Sequence, residues 1–170
     1  MIHSPYFVPI AWTLGIILVL LLLIAVGWRN RKRRQSGVPA PFQDFADTEV
    51  ARFEGMYVAT TRGEDWLDRI AVHQLGLRTN ADLVIGERGV HFMRAGARAV
   101  HVPFAALTRV NRASGMAGKF VEDNGLVITG WVKDDFDFDT GFRPRYHADN
   151  AKIYQMLASH LDDAADQETN

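Results

Sequence analysis

The sequence predicts a mainly β protein carrying one membrane-spanning helix in front of the β portion and one amphipathic helix behind it. Three observations carry this: an uncharged apolar run near the start, a series of short segments alternating apolar and polar residues between turn signals, and a helical repeat of apolar residues near the end.

Ile10 to Trp28 is 19 residues without a charge, twelve of them Leu, Ile or Val. At ~1.5 Å per residue it reaches roughly 28 Å, the thickness of a bilayer's hydrocarbon core. A buried soluble helix keeps a polar stripe, and none occurs between Leu14 and Val26. All five charges before Gln35, namely Arg29, Arg31, Lys32, Arg33 and Arg34, follow the run, and none precedes it. A cleavable signal would have the reverse order. The positive-inside rule therefore puts residues 1–9 outside and everything after residue 28 in the cytoplasm, at the inner membrane. Tyr6, Phe7 and Trp12 fall near the outer interface and Trp28 at the inner one, with Arg29 to Arg34 among the headgroups. Ala11 and Gly15 form a small-xxx-small pair through which two spans could dimerise.

Residues 29–50 read as a basic juxtamembrane segment and linker, with Pro39, Pro41 and Gly37 opposing regular structure between Gln35 and Asp47. Residues 51–161 read as the β domain. Strands are expected at Gly55–Thr61, Ala81–Gly86, Val90–Arg94, around Val100 and Val102, Leu107–Ala113, Gly125–Val132 and Asp135–Phe142. Glu87-Arg88-Gly89 and the stretch around Gly96 have hairpin length. Val90, Phe92, Val100 and Val102 share one face, opposite His91, Met93, Ala99 and His101. In the last strand Phe136, Phe138, Thr140 and Phe142 share the buried face, and Asp135, Asp137 and Asp139 the solvated one. Asp149 caps a helix with Ile153, Met156, Leu157, His160 and Leu161 at helical spacing. Residues 162–170, acidic and nearly free of large apolar groups, are expected to be disordered.

The stretches WLDRIAVHQLGLR (66–78), RASGMAGKFVEDNGLVITGWV (112–132) and FDTGFRP (138–144) resemble small bacterial single-pass membrane proteins with a cytoplasmic PH-like domain, some of them labelled export proteins or transporters. The resemblance covers roughly residues 10–160. It implies a PH-like antiparallel barrel or sandwich closed by the C-terminal helix, and a role in binding. A single span encloses no pathway, so a transport role would require a complex in which this chain is an accessory subunit.

The tests for chemistry come out negative. Zero cysteines exclude thiolate and cysteine-zinc chemistry. Ser114 to Phe120 contains Gly118-Lys119 but lacks the first phosphate-loop glycine, at Ala113, and the magnesium-binding Ser/Thr, at Phe120. Asp135, Asp137 and Asp139 lack the glycine and distal Glu of a calcium loop, having Thr140 and Tyr146 there. His91 and His101 fall opposite one another across a hairpin, as exposed residues, and two ligands do not make a zinc site. No serine lies in a nucleophile elbow, and the pairs Glu64/Asp65 and Asp134/Asp135 fall in turns and charged strand edges. The reading is a non-enzymatic binding or scaffold module with no catalytic residue, metal or cofactor, whose partners are the bilayer and another protein. After the basic cluster the net charge is −6, which argues against nucleic acid. Arg62, Arg109, Arg112 and Lys119 are the candidate binding rim, a place for a phosphate or an acidic peptide.

Overall fold

The structure, a computed structural model, describes residues 7–63 and 65–168, without the side chains of Phe7, Arg31, Lys32, Arg34, Lys119 and residues 163–168. The expectations for Tyr6, for Glu64 and for those side chains lie outside the described residues. The chain divides into two units, residues 1–37 and 38–170.

In the first unit α1 (Phe7–Arg34) is a continuous helix whose Val8–Asn30 stretch is long and apolar enough to cross a membrane and has none of its length buried. Thr13 donates its hydroxyl to the Pro9 carbonyl at 2.9 Å, so the one polar side chain in the run is satisfied within the helix. Ser36 ends the helix by donating both its amide and its hydroxyl to the Arg33 carbonyl.

In the second unit the principal strands are β1 (Glu49–Arg62), β3 (Thr79–Gly86), β4 (Gly89–Arg94), β5 (Val100–Pro103), β6 (Leu107–Ala113), β9 (Leu126–Lys133) and β10 (Phe136–Pro144). They form one antiparallel sheet in the order β5-β4-β3-β1-β10-β9-β6, with β2 (Asp65–Arg69) hairpinned onto the end of β1. β1 joins the two halves: Glu49 to Tyr57 pairs with β3 and Gly55 to Arg62 with β10, with an irregularity between Tyr57 and Ala59. The sheet folds over itself there without closing, leaving β5 and β6 as its edges, so the fold is sandwich-like and not a closed barrel. A Cβ on Gly55 would stand 2.3 Å from the Arg143 carbonyl, which is why this point in β1 carries no side chain.

Between the layers lie Tyr57, Phe92, Trp131, Phe138 and Phe142, all fully buried, with Trp131 stacked on Phe138 at 4.0 Å. Helix α2 (Ala148–Glu168) covers the β6–β9–β10 side and inserts Ile153 and Leu157 into the same core. Ser114–Phe120 contains the small hairpin β7–β8 (Gly115–Met116 and Lys119–Phe120), with Met116 buried.

Two boundaries differ from the sequence reading. The C-terminal helix runs on to Glu168 where disorder was expected from residue 162, because Ala164, Ala165 and Gln167 propagate a helix that packing has already nucleated. The linker is also shorter. Val38 is buried, Phe42 meets the Trp131 ring at 5.9 Å and bridges to His101 on β5, and Asp47 is almost fully buried against His91. Prolines keep this segment extended, and its apolar side chains then pack along the β5 edge, so the domain starts at Val38 and not near residue 51.

Candidate functional site

The buried face of β1, β9 and β10 carries a row of hydrogen bonds whose direction is set by its two ends. Trp131 Nε1 can only donate, and does so to Thr140 Oγ1 at 3.0 Å; the Leu75 carbonyl can only accept, and takes the Tyr57 hydroxyl at 2.9 Å. Thr140 therefore donates to Thr60 (2.8 Å) and Thr60 to Tyr57 (2.6 Å). Burial pushes the Tyr57 hydroxyl up to about 12, so it stays protonated and keeps donating.

On the Tyr57 ring lies Arg94, a residue 6% exposed, its guanidinium carbon 4.5 Å from the ring centre. Nε donates to the Arg98 carbonyl at 2.6 Å and Nη1 to the Gln74 carbonyl at 2.7 Å. Nη2 is buried with no acceptor, and no carboxylate among the described residues pairs with this cation. Burial pushes the Arg94 guanidinium below its ordinary value. The residue lines a cleft of about 620 Å³ between the packed segment (Ala40–Asp44), the His73-Gln74 turn and the β4–β5 hairpin. His73 and Gln74 both have positive φ, 54° and 60°, and the turn is held by the His73 Nε2 contact to the Val38 carbonyl at 2.9 Å. A second cleft of about 480 Å³ lies beside Gly55, but there Arg143 is paired with Glu122 and Arg145 with Glu54.

Next to the Arg94 cleft, His91 and His101 face each other across β4 and β5 as their register predicted, but they are buried, not exposed, because Asp44, Phe45 and Asp47 pack over them. Their Nδ1 atoms are 2.7 Å apart, and His91 Nε2 is 3.0 Å from Asp47 Oδ2. A contact this short needs one Nδ1 protonated and the other bare. Burial lowers the His101 pKa, opposed by Asp44 and reinforced by His91. Burial alone would raise the Asp47 carboxyl; hydrogen bonds from His91 and from the Arg88 and Thr48 amides hold it below the usual carboxylate range. Among the described residues no group of three or more His, Asp or Glu is placed to hold a metal.

The expected rim is distributed differently. Arg109 is clamped by Asp137 (2.9 Å) and Asp139 (2.8 Å), so those two aspartates are an ion-pair clamp and not a solvated acidic face. Arg62 lies over the Phe136 ring at 5.0 Å and Arg112 over Tyr154 at 5.2 Å. Lys119 is on β8, paired in register with Met116. Trp12, Trp28 and Arg29 stand on α1, with Trp12 and Trp28 exposed, and Arg31, Lys32, Arg33 and Arg34 occupy its last turns. Arg94 was not singled out from sequence, although a signal was there: β4 alternates, so Arg94 shares the face of Val90 and Phe92, and a cation at the end of an inward-facing row marks a buried charge.

Seven principal antiparallel strands folded into two layers and covered by one C-terminal helix define a PH-like domain. The chain belongs to the bacterial PH domain-like family, whose model matches residues 35–159. That match begins upstream of the packed segment, in agreement with a domain that includes it. No curated protein matches the sequence. Among solved structures, a chain of the 8S snRNP assembly intermediate is similar at 5% identity, covering 72% of this chain and 89% of that one with a TM-score of 0.48. The C-terminal domain of an unknown protein from Leishmania infantum is similar at 14% identity (81% and 97%, TM-score 0.42). The C-terminal phosphotyrosine interaction domain of mouse APBB2 is similar at 9% identity (74% and 96%, TM-score 0.47).

Proposed function

We propose that this protein is a membrane-anchored, non-enzymatic binding module: α1 spans the inner membrane with its N-terminus outside, and the PH-like domain captures a protein partner on the cytoplasmic face. The observation that carries the reading is the pairing of a 23-residue apolar helix stretch, Val8–Asn30, with a family domain that starts within a few residues of its end. The charge order supports the orientation, since the cationic residues Arg29 to Arg34 all follow the apolar run. The resemblance to single-pass membrane proteins with PH-like domains supports the same arrangement. The absence of a nucleophile elbow, phosphate loop or cysteine in the sequence supports a binding role over catalysis.

Affinity capture from membranes tests it, comparing the intact chain with one in which residues 7–30 are replaced by an unrelated apolar span. Equal capture of partners by both chains is expected. Loss of every partner on replacing the span would contradict it, and would instead favour an accessory subunit of a transport or export complex whose important contacts lie in the membrane.

A further inference from the structure

We propose that the Arg94 cleft is a binding site for a monoanionic carboxylate carried on a small apolar body. The inference rests on the binding-module reading and names the chemistry that the module would recognise.

A guanidinium buried with its Nη2 unmet and no carboxylate paired to it is costly, and the Tyr57 ring and two carbonyls offset only part of that cost. Clamping the Gln74 and Arg98 carbonyls needs only two neutral donors, which a glutamine amide could supply with no charge to desolvate. An acidic ligand in the cleft that Arg94 lines supplies the negative charge this cation lacks.

Charge selects the kind of anion. Lining the cleft are the cations Arg94 and Arg98 and the single carboxylate Asp44, with His73 and His101 as the other titratable groups. With the histidines neutral, the formal sum is +1, which matches a carboxylate; a phosphate dianion would leave a negative excess facing Asp44. Ala40, Pro41, Phe42 and Ala99 give the cleft an apolar wall, and about 620 Å³ accommodates a body the size of an aromatic ring. The carboxylate could be that of a free small acid or that of an acidic side chain on a bound peptide.

The test uses the full chain in phosphatidylcholine nanodiscs, labelled with 15N-arginine, and follows the Arg94 Nε–H resonance. The probes are phenylacetate, its neutral isostere phenylacetamide, inorganic phosphate, and the dipeptides acetyl-Phe-Asp-amide and acetyl-Phe-Asn-amide. Saturable shifts with phenylacetate and acetyl-Phe-Asp-amide, and none with the two uncharged counterparts, are expected. An Asp dipeptide at least about tenfold tighter than phenylacetate assigns the carboxylate to a peptide, and comparable affinities assign it to a free acid; either upholds the site. Arg94→Gln removes the donor but also alters the clamp, so Arg98→Glu, at an exposed side chain, is the second variant. It turns the sum to −1 and should weaken carboxylate binding about tenfold with the fold unchanged. No saturable shift up to about 50 mM of either acid, an equal response to the neutral probes, or tighter binding of phosphate would overturn the proposal. If the carboxylates fail while partner capture through the domain persists, only the cleft assignment falls; if capture fails, the binding-module reading falls with it.

Discussion

Replacing Asp47 by Ala probes the packing of residues 38–48 on the rest of the domain. The carboxylate accepts from the Arg88 amide at 3.0 and 3.2 Å, from the Thr48 amide at 2.9 Å, and contacts His91 Nε2 at 3.0 Å. The two amides lie where water can replace the lost acceptor, so each should cost about 0.5–1 kcal/mol. His91 is buried and left with an unmet N–H, which adds about 1–2 kcal/mol. The total is about 3 kcal/mol, or a fall in Tm of about 6–12 °C for a domain of this size. Thermal unfolding of the full chain in detergent, followed through the buried Trp131 beside Phe42, reads the global effect. Amide exchange at Thr48 and Arg88 reads the local one. Asp47→Asn, which retains an acceptor oxygen, should recover about half of the loss. A change in stability under about 0.5 kcal/mol with unchanged exchange at Arg88 would refute the claim that residues 38–48 are an integral part of the domain.

Acid should loosen the same region: His101 binds its proton less readily folded than unfolded, so stability falls as pH drops below about 6.5, by at most ~1.4 kcal/mol per pH unit from this group, and His101→Gln should flatten that slope in a Tm series from pH 7.5 to 5. The depressed Asp47 carboxyl works in a lower window, contributing fully above about pH 4 and losing its contribution as pH falls through its folded value. Gly55→Ala should cost about 3 kcal/mol or more in denaturant unfolding, since the added methyl meets the Arg143 carbonyl and the Phe142 ring, whereas Gly96→Ala, which meets no atom within 4 Å, should cost only about 1 kcal/mol for its φ of +73°. Trp131→Phe should cost about 1–3 kcal/mol and leave the Thr140 hydroxyl without its indole donor, seen as faster exchange of the Thr60 and Thr140 hydroxyl protons.

The strands were legible because period-two alternation reports which face is buried: Leu107–Ala113 has the bounds expected, and Phe138, Thr140 and Phe142 all face the core. The His91–His101 pairing followed from the hairpin at Gly96. Their burial did not, because the covering residues Asp44, Phe45 and Asp47 sit in a segment with no period, and packing of an extended strap leaves no periodic trace. The same gap hid the true start of the domain at Val38. The Asp137 and Asp139 clamp was missed for another reason: alternation gives the face but not the neighbouring strand, and Arg109 reaches them only once β9 has brought β6 close to β10. Arg94 was readable as an inward-facing cation, but its carbonyl clamp depends on a turn at His73 and Gln74 whose positive φ values no glycine announces.

Topology is the most direct test of an anchored cytoplasmic module. The chain has no native cysteine, so Gln155→Cys, on an exposed position of α2, gives a single reactive thiol. In right-side-out membrane vesicles an impermeant maleimide should leave this thiol unlabelled until the bilayer is opened, with all of the protein in the membrane fraction. Labelling in sealed vesicles, or recovery of the protein as a soluble species lacking residues 1–34, would contradict the account.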